Sequence, residues 1–181
     1  MCGRYPPCEG MVTKLGTAVA LFGLLLVTSV VAETYTARVV GVMDGDTIKV
    51  LDSTRAQHKV RLAGIDAPEK AQPFGQKARQ HLASQVFGRE VTLDCGKVDR
   101  YQREICVVLF EGKDVNLAQV EAGLAWWYRQ YAREQTAAQQ HVYAEAEATA
   151  HDARRGLWAN DSPMPPWEWR HRGRLSSGKE W

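Results

Sequence analysis

The chain has few cysteines, no metal-type histidine or cysteine spacing, and no strong excess of charge of one sign. Its 181 residues hold 4 Cys, 5 His, 7 Pro and 15 Gly, and no HExxH or CxxC spacing occurs, which excludes zinc sites of those types and a disulfide-framework scaffold. The shortage of Gly and Pro excludes collagen-like and low-complexity chains. A net charge of +2 leaves no global field to attract nucleic acid, so any phosphate binding must come from local placement. Internal repeats are also missing. What remains is one domain of ordinary size, with 45% hydrophobic residues to build a core.

Long apolar runs are scarce too, and the one that stands out, Ala18 to Val27 (AVALFGLLLV), is shorter than a comfortable membrane span. Lys14 precedes it, and Val30 and Ala32 occupy the small-residue positions before a cleavage point. These features predict a secretory signal over residues 1–32, with Met11 as an alternative start, and a mature chain from Glu33 that is secreted or periplasmic. A retained anchor is the alternative; cleavage implies no stable membrane association. Cys2 and Cys8 fall in the signal segment, which leaves Cys95 and Cys106 either to pair or to lie buried as free thiols.

From Tyr35 to Phe110, short runs rich in Val, Ile, Thr and Leu read as strands: TARVVGV, TIKVL, KVRLAG, EVTLD and EICVVLF. Asp44-Gly45 and Glu111-Gly112-Lys113 mark turns. Five such strands closed on themselves make a small barrel. A helix is expected over Phe74 to Phe87, with Ala78, Leu82 and Val86 as its apolar stripe and Gly88 at its end. A second is expected over Val115 to Ala122, ending at Gly123. A third runs from Glu134 to Arg155, with Tyr143, Ala146, Ala150, Ala153 and Leu157 as its stripe. Pro163, Pro165 and Pro166 then break the helical pattern, predicting a Trp- and Arg-rich tail over 161–181 after a domain of 33–160.

Asp44, Asp46, Asp66 and Glu69 form a set of oxygen donors suited to a hard divalent cation such as Ca²⁺. Taken singly, the DGD and DAPE segments are ordinary turns. Arg61, on the strand leading to Asp66, and Arg103, in the Asp99 to Arg103 connection, alter that balance. Two cations, a metal and a carboxylate base are what phosphodiester cleavage requires. Alternation along an extended strand would put Arg61 and Asp66 on opposite faces, so a bend is expected, with Gly64 the easiest place for it.

VMDGDTIKV (42–50), VRLAGIDAPE (60–69), DRYQR (99–103) and NLAQVEAGLAWW (116–127), in this order, resemble the thermonuclease family typified by staphylococcal nuclease. The resemblance runs from about Thr36 to Trp158. It implies an α+β, mainly β fold: a five-stranded OB-fold barrel with three packed α-helices. It also implies Ca²⁺ held by Asp46, Asp66 and the backbone carbonyl of Ala67, with Asp44 acting through water. By the same resemblance Glu69 orients or deprotonates the attacking water, and Arg61 and Arg103 hold the phosphate. Arg100 and Tyr101 fall where a neighbouring phosphate binds, and Trp127 or Tyr128 where an aromatic lines the nucleotide pocket.

The implied reaction is Ca²⁺-dependent hydrolysis of DNA and RNA, single strands preferred, by a monomer, leaving 3′-phosphate and 5′-hydroxyl ends. Two departures from the staphylococcal pattern stand out: Ala67 replaces a Thr, and the segment after Glu69 is several residues shorter. The competing reading is a non-catalytic nucleic-acid or protein binding module on the same barrel. The tail has two readings of its own, docking on the barrel or binding nucleic acid.

Overall fold

The computed structural model describes residues 33–177, together with Met1 and Gly3. All but these two residues of the expected signal segment, and its cleavage point, lie outside the described residues. Five strands form the barrel: β1 (Glu33–Val42), β2 (Thr47–Leu51), β3 (Gln57–Leu62), β5 (Glu90–Val98) and β6 (Glu104–Phe110). They pair in the order β3-β2-β1-β5-β6, antiparallel throughout, and a parallel pairing of Val60–Leu62 with Glu104–Cys106 closes the ring. Two-residue strands β4 (Ile65–Asp66) and β8 (Trp126–Trp127) pair with each other outside it, and β7 (Lys113–Asp114) extends β6.

Strand alternation builds the core. Ile48 and Val50, Val60 and Leu62, Val91 and Leu93, and Cys106 and Val108 point inward, all at most 2% exposed. Burial of each large apolar side chain contributes roughly 1.5–3 kcal/mol. Cys95 and Cys106 sit opposite each other on β5 and β6 and are joined by a disulfide, which decides between the two expected alternatives. The turn between β6 and β7 has Glu111 and Gly112 both at positive φ, as a two-residue hairpin requires.

Helix α1 (Gly75–Val86) lays Ala78, Leu82 and Val86 on the barrel, as expected. Helix α2 (Val115–Glu121), whose sequence sets Leu117, Val120 and Glu121 at helical spacing, buries Val120 but leaves Glu121 exposed, and the polar Asn116 and Gln119 are fully buried instead. Asn116 donates to the carbonyls of Ala63 and Cys106 and accepts from Val108 N, bridging β6 to the chain leaving β3. Gln119 donates to the carbonyls of Gly45 and Ala78.

Helix α3 (Ala137–Asp152) is shorter than predicted at both ends. The capping box of Thr136 and Gln139 starts it, a 3-10 turn at Arg129–Glu134 precedes it, and Ala153, beyond its end, is exposed. Its Tyr143 hydroxyl donates at 2.8 Å to Asp114, the residue that caps α2.

The ends of α2 and α3 are latched through two glycines. A Cβ on Gly156 would lie 2.1 Å from Gly123 O, and one on Gly123 would lie 2.3 Å from Arg155 O. Leu157 N donates to Gly123 O across this contact.

The predicted tail is corrected in part: Pro166–Ser177 forms helix α4. Pro166 stands at its first position, where a missing N–H costs nothing and a fixed φ suits the helix, so the proline run starts a helix rather than excluding one. Gln72 Nε2 anchors the approach to it by donating to Met164 O at 2.6 Å.

On one side of the barrel His58 bridges two carboxylates, with Nε2 3.0 Å from Asp52 and Nδ1 2.7 Å from Glu104, which also accepts from the Tyr35 hydroxyl. The hydrogen bond to Asp52, and then the bond to Glu104, raise the His58 pKa above its ordinary value. Among the described residues no helix is long and apolar enough to cross a membrane.

Candidate active site

The site begins at the turn between β1 and β2. Met43 N donates to Thr47 O, and Asp46 N donates to Asp44 Oδ1 at 3.1 Å. Gly45 is needed here for space, since a Cβ would lie 2.6 Å from Ala78 Cβ and 2.7 Å from Ala67 Cβ. Helix α1 and the Asp66-Ala67 segment thereby press directly on the turn. Asp46 is buried: its Oδ2 accepts from Ala67 N at 2.7 Å and lies 2.8 Å from Arg61 Nη1, while Oδ1 accepts from the Thr47 hydroxyl. Burial, reinforced by the charge of Asp46, pushes the Asp44 carboxyl up to about 7.

Arg61 lies on β3 between the inward-facing Val60 and Leu62, so alternation turns it out of the barrel core and onto the site. The expected bend is present. Strand β3 stops at Leu62, Gly64 adopts φ +73, and the chain resumes as β4. Arg61 Nη2 then donates to Asp66 Oδ1 at 2.8 Å. Asp66 is only 1% exposed. Burial raises its pKa, and hydrogen bonds and charge from Arg170 and Arg61 pull it back.

Glu69 follows Pro68 and is held from both sides. Its N–H donates to Gln72 Oε1, and its carbonyl lies where a Cβ on Gly75 would be, at 2.0 Å. The side chain reaches the cleft half-exposed, and its partner is a residue that sequence reasoning missed. Arg170, on α4, donates from Nη1 to Glu69 Oε1 at 2.8 Å and from Nη2 to Asp66 Oδ2 at 2.7 Å.

Trp167, one turn earlier on α4, stacks on Tyr128 with ring centroids 5.6 Å apart and planes within 11°, and meets Trp126 edge-on. Of the two readings of the Trp- and Arg-rich segment, Trp167 follows the docking one. The signal that could have found Arg170 was Pro166-Trp167-Glu168-Trp169-Arg170: a proline start with Trp and Arg three apart on one helix face.

Arg103 enters the same cleft from the connection between β5 and β6. Asp99 organises that connection: Oδ1 accepts from Tyr101 N and Arg103 N, and Oδ2 accepts from Arg103 Nε at 2.8 Å. Arg100 and Tyr101 line the cleft beside it, with the Arg100 guanidinium over the Tyr101 ring. The open choice between Trp127 and Tyr128 resolves by position. Tyr128 lines the cleft, whereas Trp127 does not: its indole N–H donates to Gln135 and its ring carries the Arg129 guanidinium. Buried Glu147 of α3 holds this stretch by accepting from Trp127 N and pairing with Arg129.

Asp44, Asp46, Asp66, Ala67, Glu69, Arg61 and Arg103 thus share one cleft of about 500 Å³, which Tyr101, Tyr128 and Tyr131 also line. All the acidic side chains of the cleft offer oxygen donors and two, Asp46 and Asp66, are almost fully buried, so the donor chemistry fits a hard divalent cation. Their spacing is set by guanidinium groups. Arg61 lies between Asp46 and Asp66, and Arg170 lies between Asp66 and Glu69. Among the described residues no three carboxylates of this set have oxygens within 4.8 Å of one another. The group that does lie so close is Cys95, Glu104 and Cys106, whose sulfurs are already joined.

Residues 59–160 match the family model described as staphylococcal nuclease homologue. An uncharacterized endonuclease of Haemophilus influenzae is 38% identical over 162 residues, covering 87% of this chain and 88% of that protein. An uncharacterized endonuclease of Escherichia coli O157:H7 is 43% identical over 136 residues, 75% of this chain and 84% of its own. A micrococcal nuclease of Shigella flexneri is 40% identical over 162 residues, 84% of this chain and 90% of its own.

Proposed function

The chain belongs to the staphylococcal nuclease homologue family, and from that premise we propose that it is a nuclease that hydrolyses phosphodiester bonds of DNA and RNA with Ca²⁺ as its metal. The observation that carries this reading is the meeting of Asp46, Asp66 and Glu69 with Arg61 and Arg103 in one cleft. Asp46, Asp66 and the Ala67 carbonyl would hold the ion, with Asp44 acting through water. When bound, Ca²⁺ supplies positive charge that polarises a phosphoryl oxygen.

The protein groups do the rest. Arg61 and Arg103 neutralise the phosphate as charge builds on it, and each such group is worth on the order of 10²–10³ in rate. Glu69 accepts a proton from the attacking water as its oxygen bonds to phosphorus, the P–O5′ bond breaks, and the departing 5′-oxygen takes up a proton from solvent, so that 3′-phosphate and 5′-hydroxyl ends remain. Phosphate contacts carry no base code, so sequence preference is slight. Arg100 and Tyr101 take a neighbouring phosphate, and Tyr128 and its ring neighbours offer faces on which unpaired bases stack, which favours single strands. The enzyme acts as a monomer, exported under the direction of residues 1–32.

Labelled single-stranded DNA with Ca²⁺ or with a chelator, beside the Glu69→Gln variant, tests the reading. Calcium-dependent cutting to 3′-phosphate ends, reduced about 10²–10⁴-fold in the variant, is expected. DNA binding with no cutting would support the binding-module reading instead.

A further inference from the structure

Among the described residues Arg170 is the one side chain of α4 that lines the cleft, and it occupies Asp66, which the cation would use, and Glu69, which would take the proton from water. Its Nη2 donates to Asp66 Oδ2 at 2.7 Å, and its Nη1 donates both to Asp66 Oδ1 at 3.3 Å and to Glu69 Oε1 at 2.8 Å. Oδ2 is the Asp66 oxygen that Arg61 leaves unbonded. With Arg61 on Oδ1 and Arg170 on both oxygens, Asp66 has two guanidiniums already drawing on its lone pairs, and a divalent cation brought to the same carboxylate is repelled by both.

The two guanidiniums differ in how they are held. Arg61 is the penultimate residue of β3, where the strand is paired on both sides, and its side chain is 12% exposed. Arg170 comes from a helix fastened by the Gln72 bond to Met164 O and by Trp167 lying on Tyr128 and Trp126, and its side chain is 39% exposed. Of the two, Arg170 can leave without opening the barrel.

We propose that Arg170 is a built-in competitor of the divalent cation. Its guanidinium neutralises Asp66 and Glu69 while the metal is away, and metal binding expels it, loosening α4 and freeing Glu69 for water. The proposal rests on the reading of this cleft as a divalent-cation site and adds how that site is regulated. It also assigns a cost: the protein binds Ca²⁺ more weakly than its donor set alone would allow, in return for a metal-free state in which Asp66 is not left facing Asp46 with Arg61 as its sole counter-charge.

The test is Ca²⁺ titration calorimetry on the metal-free full chain, comparing wild type, Arg170→Gln and Arg170→Lys, with hydrogen exchange of residues 166–172 followed in the wild type. At least tenfold tighter Ca²⁺ binding in R170Q is expected, with R170K between it and wild type, and faster exchange in α4 once Ca²⁺ is added. R170K preserves charge and fold if R170Q is too unstable to titrate. Ca²⁺ affinity unchanged or weakened in the variants, or exchange in α4 unaffected by Ca²⁺, overturns the proposal. If the wild type nevertheless cuts DNA in a Ca²⁺-dependent way, the failure belongs to the competitor role alone. If no variant binds Ca²⁺ and none cuts, the cation reading falls with it.

Discussion

Arg61 Nη2 and Asp66 Oδ1 meet at 2.8 Å although an unbroken strand would carry the two side chains to opposite faces. The bend at Gly64 makes the meeting possible, and Gly64 O also accepts from Tyr128 N, so one residue sets the position of an arginine, a carboxylate and an aromatic.

Gly64→Ala should therefore damage both stability and site. At φ +73 a side chain is strained, and its Cβ would lie 2.5 Å from Gln135 Nε2, disturbing the residue that accepts from the Trp127 indole. A loss of about 1–3 kcal/mol in urea unfolding is expected, together with slower cleavage. Wild-type stability in G64A would refute this account of the bend.

Removal of Arg61 leaves Asp46 and Asp66 buried with less counter-charge. Arg61→Ala should cost the metal-free protein about 3–5 kcal/mol, the range for breaking a buried ion pair from one side. Added Ca²⁺ should recover part of that loss, because it binds the same carboxylates. Thermal melts of R61A with and without Ca²⁺ check it; a melting temperature that Ca²⁺ does not raise would contradict the assignment.

Asn116 satisfies three backbone groups at the point where β6 and the end of β3 are tied together. Asn116→Ala should cost about 2–4 kcal/mol, since each orphaned buried group costs about 1–3 kcal/mol and Cys106 O keeps its bond from Ala63 N. Chemical denaturation measures it. An Asn116→Ala protein as stable as wild type would mean that these groups find other partners.

His58 makes stability depend on pH. Its folded pKa is raised, so the protonated form is favoured by folding. Its contribution is fully present below the unfolded value near 6.5 and is lost as pH rises through the folded value. The stability gap between wild type and His58→Gln should thus be larger at pH 6 than at pH 9. Urea titrations at both pH values test this; an equal gap would assign the two bonds of His58 no electrostatic role.

Much of the architecture was legible because it follows short-range rules. Runs rich in Val, Ile, Thr and Leu between turn residues located the five barrel strands, and the spacing of Ala78, Leu82 and Val86 marked the buried face of α1. The bend at Gly64 followed from period two and two residues that had to meet. Asn116, Gln119 and Glu147 were not legible, because a polar residue reads as surface until the backbone groups it satisfies are known, and those lie on other elements. Arg170 was hidden for a related reason: the contact with Asp66 spans 104 residues of chain and depends on a helix that the prolines argued against. Trp127 and Tyr128 could be separated only by the pairing of Ile65 with Trp127 and Asp66 with Trp126, which no local pattern announces.

The latch between Gly123 and Gly156 carries a constraint on descent. Neither residue has a functional group, yet a Cβ on Gly156 would strike Gly123 O and a Cβ on Gly123 would strike Arg155 O, backbone atoms in both cases. A mutation at one cannot be compensated by enlarging the other, so the pair has no neutral path of paired replacement of the kind open to two facing core residues. Lineages that keep α2 and α3 in this register are expected to hold both positions as glycine even where the cleft itself drifts.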